Sequence, residues 1–132
     1  MDLDAPAPSL DAFLEAAEAA RAAFPAPFAA LARDVRLRVE DWPSDALLDE
    51  LEMDDPYELT GVYEGEALTE RTVEAPAMPS TVTLFRRPIL DEWAGRGDVT
   101  LSALIAHVTV HEFAHHFGWS DDDIAAIDRW WE

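Results

Sequence analysis

Apolar residues in this chain fall into short periodic blocks, and the period changes from block to block. Leu10, Phe13, Leu14, Ala17 and Phe24 recur at helical spacing in an Ala-rich stretch, and Ser9 stands ahead of them as an N-cap. Pro25 and Pro27 interrupt that helix, and "FAALAR" restarts it for a turn or two, so residues 9–33 read as an N-terminal helical segment. In "VRLRVE" the period drops to two: Val35, Leu37 and Val39 alternate with Arg36 and Arg38, the mark of a half-buried strand. "SDALLDELEM" returns to a short helix capped by Ser44, and "ELTGVYEG" reads as a strand that ends in a turn near Gly65. Residues 66–79 have no clear period and two prolines, which predicts mostly loop.

The second half repeats the alternation on a larger scale. "STVTLFRR" is rich in β-branched residues, with Val82 and Leu84 on one face, and predicts a strand stopped by Pro88. "PILDEWAG" then predicts a helical turn. Asp98 is the expected cap of a long helix from Val99 to about Phe117, with Leu101, Leu104, Ile105, Val108 and Ala114 buried. Gly118 supplies the left-handed residue that commonly follows a last helical turn, and "SDDDIAAIDRWW" starts another helix from Ser120 or Asp121. The order helix, strand, helix, strand, strand, helix, helix predicts an α+β fold with a short sheet. At 132 residues the expectation is a single domain over 1–132.

All four histidines lie between residues 107 and 116, on the long predicted helix. His111 and His115 are four apart, so their rings lie one turn apart on one face and can grip one cation, with metal–nitrogen bonds of roughly 2.0–2.1 Å for zinc. Glu112 is rotated away from a ligand position of equal standing, yet it can hang over the open side of such a metal. There a carboxylate can take the proton of a water whose pKa zinc lowers from about 15.7 towards 7. His-Glu-x-x-His therefore encodes two ligands and a general base in five residues. A catalytic zinc normally has three protein ligands. Gly118 lets the backbone reverse and bring Asp121 back towards the His face, with Asp122 and Asp123 as alternatives.

The remaining histidines fit less well. Eight residues of helix rise about 12 Å, so His107 and His115 cannot share an ion. His116 points about 100° away from His115 and reads as structural. Phe113, Phe117 and Trp119 read as core, Tyr57 and Tyr63 as structural before they read as oxyanion donors, and Arg86 and Arg87 as partners within an acidic surface.

His111-Glu112-x-x-His115-x-x-Gly118-x-x-Asp121 resembles the extended zincin signature in the form with Asp as third ligand. With "LTGVYEG", "LTERTV" and "TLFRRPIL" upstream, "VHEFAHHFGWSDDDI" is similar to the minimal zincin-like metallopeptidase family of bacteria, over about Val35 to Ile127. The resemblance implies a small zincin-like α+β domain, a short mixed sheet packed against an active-site helix, and one zinc ion on His111, His115 and Asp121. It also implies Glu112 as catalytic base and peptide hydrolysis as the activity. Eleven residues follow Asp121 here, so substrate binding is expected to come from upstream segments or to be rudimentary.

Charge and composition narrow the partners. The formal charge is −19 and all nine basic residues are Arg, so the surface repels nucleic-acid phosphates and anionic lipid headgroups. The chain has no cysteine, which removes thiolate ligands and thiol nucleophiles. The acidic, Pro-broken start lacks the pattern of a signal peptide, and a cytoplasmic protein is expected. The expected partner is a peptide or protein substrate, laid along the edge of the strand from Thr81 to Arg86. Two other readings stand beside hydrolysis: a binding or regulatory module whose metal is structural, and a metal-free acidic interaction protein. Manganese, iron or nickel would also suit an N/N/O site.

Overall fold

The computed structural model describes residues 8–65 and 80–118. The predicted loop of residues 66–79 and the predicted helix after Gly118, Asp121 included, lie outside them. Ser9 caps α1 (Leu10–Ala22), its hydroxyl accepting from the Ala12 amide at 3.1 Å, a contact worth about 1 kcal/mol. Phe13 and Ala17, one turn apart, are fully buried, whereas Leu10 stays largely exposed. Phe24 lies just beyond the helix end but still reaches the core. Its ring meets Phe113 edge-on, with centroids 5.3 Å apart. α2 (Ala26–Ala32) enters through Pro25, which sets a helical φ without forfeiting a bonded amide.

β1 (Arg36–Glu40) keeps the predicted alternation: Leu37 and Val39 pack on the core while Arg36 and Arg38 face solvent. Ser44 caps α3 (Asp45–Glu50). A 3-10 turn (Pro56–Glu58) leads into β2 (Gly61–Glu64), and the described chain resumes at β3 (Thr81–Phe85). α4 (Arg86–Arg96) and α5 (Leu101–His116) follow. The strands form a mixed sheet in the order β1-β3-β2, with β1 parallel and β2 antiparallel to β3.

The register sorts the side chains by face. Val82 pairs with Leu37 and Tyr63, and Leu84 with Val39 and Gly61, so these residues look together towards α1 and α5. Phe85, on the other face, packs with Leu48 and Leu59 in a smaller cluster. Burying one such Leu or Phe contributes about 1.5–3 kcal/mol. The larger cluster, from Phe13 across the sheet to Phe117, is therefore what holds α5 in place.

Three expectations need correction. The strand from Thr81 to Arg86 offers no edge to a peptide: β3 is central, paired over its length with β1 and over four residues with β2. Its burial on both faces, Thr83 and Phe85 included, is what a central strand covered on both sides requires. Pro88 does not end that strand, which passes directly into helix at Arg86; Pro88 sits in the first turn of α4, where its missing amide costs nothing. Asp98 does not cap the long helix. Gly97, left-handed at φ 70°, closes α4, and the Trp93 indole donates to the Val99 carbonyl at 3.1 Å, so residues 97–99 form the turn. Thr100 caps α5 instead, accepting from the Ala103 amide at 3.1 Å.

Candidate metal centre

α5 is buried on nearly every side, with nine of its sixteen residues inaccessible, because it lies between α1 and the sheet. Its polar members are therefore informative. The Thr109 hydroxyl donates to the Ile105 carbonyl one turn earlier, at 2.7 Å, and needs no outside partner. Among the described residues, His107, His111 and His115 lie on the stripe that α1 and the sheet leave uncovered, exposed at 107 and half-buried at the other two. The rings of His111 and His115 stand 5.2 Å apart at 79° to each other.

Glu112 is 91% buried, a rare state for a carboxylate. It reaches the same place as the two imidazoles: one donor atom from each of His111, Glu112 and His115 falls within 4.8 Å of the others. Among the described residues this is the group able to hold a metal ion. Two imidazole nitrogens and a carboxylate oxygen are donor types that zinc accepts, so the residues fit the ion that the motif implies. His107 is no part of the group: its ring lies 6.4 Å from that of His111.

The element that presses Glu112 into position is β2. A Cβ at Gly61 would lie 3.1 Å from the Glu112 Cγ, 3.0 Å from the Val108 Cγ1 and 3.3 Å from the Leu84 Cδ2. Only a residue without a side chain lets the strand approach α5 this closely. Two residues on, Tyr63 meets the next turn of α5, its hydroxyl 2.8 Å from the His116 Nδ1 and 3.0 Å from the Ser80 Oγ. His116 is thus a buried structural histidine, as its angle from His115 predicts, and Tyr63 has a structural bond of its own. β2, not β3, is the strand beside the motif.

The surrounding residues fall where their chemistry sends them. Phe113 and Phe117 are core. Arg86 pairs with Asp41 at 3.0 Å and donates to the Pro8 carbonyl. Tyr57 is half exposed and meets Trp42 edge-on. Gly118 has φ 85°, the left-handed conformation expected after the helix, and its amide donates to the His115 carbonyl at 3.0 Å. Asp121, the expected third ligand, is outside the described residues.

On its open side the group borders a cleft of about 310 Å³ between the 3-10 turn, the start of β2, α4 and α5. Glu58, Leu59, Thr60, Gly61, Glu92, His107, Val108, His111 and Glu112 line it. The sequence reading missed Gly61, Glu58 and Glu92. A glycine inside an otherwise apolar strand was the available signal for close approach at 61. No local pattern marks the two glutamates, because they reach the cleft from elements far apart in the chain.

The sequence pattern of the zincin-like metallopeptidases matches residues 32–131, about three-quarters of the chain. No curated protein matches it. Among the described residues no helix is long and apolar enough to cross a membrane. The match takes in β1, the sheet it starts and the whole of α5 with its His-Glu-His group, and the chain belongs to the zincin-like metallopeptidase family.

Proposed function

We propose that this protein is a zinc-dependent peptidase or amide hydrolase in which His111 and His115 hold the metal, Asp121 completes the ligand set, and Glu112 is the general base. One observation carries this reading. A carboxylate buried to nine-tenths shares a space with two half-buried imidazoles, and that space borders an open cleft rather than a closed core. A structural metal is enclosed by four protein ligands, whereas a catalytic one keeps a position for water. When bound, zinc would polarise the scissile carbonyl and make a neighbouring water acidic.

The chain's own residues do the rest. His111 and His115 lie on one rigid helix anchored by Phe113 and Phe117, so their spacing needs no ordering on binding. Glu112, held by the close approach of Gly61, takes a proton from the attacking water and returns it to the leaving amine. The packed surroundings of Glu112 limit the water that would otherwise compete for its oxygens. An extended substrate would run beside β2, which has a strand neighbour on one side only among the described residues.

The test is metal content together with peptide-library cleavage, on wild type, Glu112→Gln and Asp121→Asn in parallel. Wild type is expected to carry one zinc per chain and to cleave. Glu112→Gln is expected to keep its zinc and lose activity by a factor on the order of a thousand. Asp121→Asn is expected to lose stoichiometric zinc. Zinc retained with no cleavage by wild type would favour the structural-metal module.

A further inference from the structure

β2 and α5 run in step. Gly61 lies against Val108 and Glu112, and Tyr63, two residues on, lies against His116. Two residues of strand advance about 6.6 Å, and the four residues from Glu112 to His116 advance about 6 Å. Residues 108, 112 and 116 therefore form one stripe of α5 that follows β2, and His111 and His115 lie on the neighbouring stripe. At Gly61 the contact is a bare backbone approach. At Tyr63 it is polar: the hydroxyl stands 2.8 Å from the His116 Nδ1 and 3.0 Å from the Ser80 Oγ, and His116 and Ser80 are both buried. Ser80 is itself fixed to the sheet. Its carbonyl accepts from the Arg36 amide at 3.0 Å, and a Cβ at Gly65 would lie 2.8 Å from its Oγ. The segment Gly61-Val62-Tyr63-Glu64-Gly65 thus has no side chain at either end, where it closes on Glu112 and on Ser80, and a hydroxyl between them that joins Ser80 to His116.

The place of that bond matters because His115 occupies the last turn of α5. The final carbonyls of a helix have no helical partner, and its last turn is the part that frays first. Phe117 packs the same turn against Phe24 and Phe28, but apolar packing is non-directional and resists rotation about the helix axis weakly. A hydrogen bond between buried groups has a direction, and it rigidifies what it joins. We propose that Tyr63 is a positioning residue for the metal centre: through His116 and Ser80 it sets the rotation of the last turn of α5, and so the direction in which the adjacent His115 presents its imidazole to the ion. This role rests on metal binding by His111 and His115, as proposed above, and not on hydrolysis.

The test compares zinc affinity, by competition with a chelator, with urea unfolding of the metal-free protein. Both are measured for wild type, Tyr63→Phe, His116→Leu, His116→Asn and the cap variant Thr100→Ala. Asn keeps a hydrogen-bonding atom near the place of Nδ1, and Leu does not, so this pair asks the question without touching β2. Tyr63→Phe and His116→Leu are expected to weaken zinc binding about tenfold, the low end for groups outside the ligand shell. His116→Asn and Thr100→Ala are expected to stay within about twofold of wild type. Tyr63→Phe and Thr100→Ala each remove one hydroxyl and are expected to lower the urea midpoint alike, so a merely structural Tyr63 would leave them alike in zinc affinity too. Wild-type zinc affinity in Tyr63→Phe, or His116→Asn as weak as His116→Leu, overturns the proposal. Zinc affinity lost as expected, in a protein that cuts no peptide, leaves the positioning role standing and removes the hydrolytic reading. Cleavage by wild type with zinc affinity unmoved in Tyr63→Phe does the reverse.

Discussion

The two flanks of α5 make different use of one helix. On the flank towards α1, Phe113 is fully buried, with its ring against Phe24 and with the Arg21 guanidinium 5.2 Å from its centroid. On the flank towards the cleft, His111 and His115 are half-buried and Glu112 is buried with them, although a carboxylate costs free energy to take from water. The first flank holds the helix in the fold. The second uses that rigidity to keep three polar groups within reach of one another. Stability and chemistry are thus separated by about 100° of rotation per residue along one segment.

That separation can be broken from either side. Phe113→Ala removes the best-packed ring of the core flank and is expected to cost about 3–5 kcal/mol, read from denaturant unfolding of the metal-free protein. His111→Ala is expected to stay within about 1 kcal/mol of wild type in the same measurement, yet to abolish zinc binding. If His111→Ala unfolded the metal-free protein as readily as Phe113→Ala, the division between the flanks would fail.

A smaller effect sharpens the comparison at the point where both functions meet. Gly61→Ala adds a methyl group 3.0–3.3 Å from Val108, Glu112 and Leu84. The neighbours must give by a few tenths of an ångström, at about 1–2 kcal/mol. Because one of them is the Glu112 stem, the loss of hydrolysis is expected to exceed what that stability loss explains. Activity that tracks the folded fraction alone would show that β2 supports α5 without positioning the carboxylate. The smallest change is at the start of the helix. Thr100→Ala removes the cap of α5 and should cost about 1 kcal/mol, with zinc affinity unchanged. A shift in zinc affinity would mean that fraying at Thr100 reaches His111.

The helices and strands were legible wherever one face was buried and the other wet. The alternation in Val35 to Val39 and the Ser9 and Ser44 caps are local signals, and all appear where the sequence predicts them. Legibility failed where tertiary contacts outweighed local pattern. β3 alternates weakly because both its faces are covered, and its central position removed the peptide edge it was expected to supply. Asp98 looks like a cap, but the Trp93 indole holds the turn and passes that role to Thr100.

The candidate centre divides in the same way. Spacing four residues apart on a helix determines that His111 and His115 face one another, because helical geometry is local and regular, and Gly118 marks its own left-handed turn for the same reason. That Glu112 is buried beside them depends on a strand far earlier in the chain having a glycine, Gly61, at the point of contact. The acidic lining of the cleft depends on Glu58 and Glu92 reaching it from two elements that only packing brings together. The sequence by itself determined the His-Glu-His group, since its three members are set within five residues of one helix. Only the tertiary structure decided which strand backs them and what charge surrounds the opening, since those follow from long-range burial that no local period encodes.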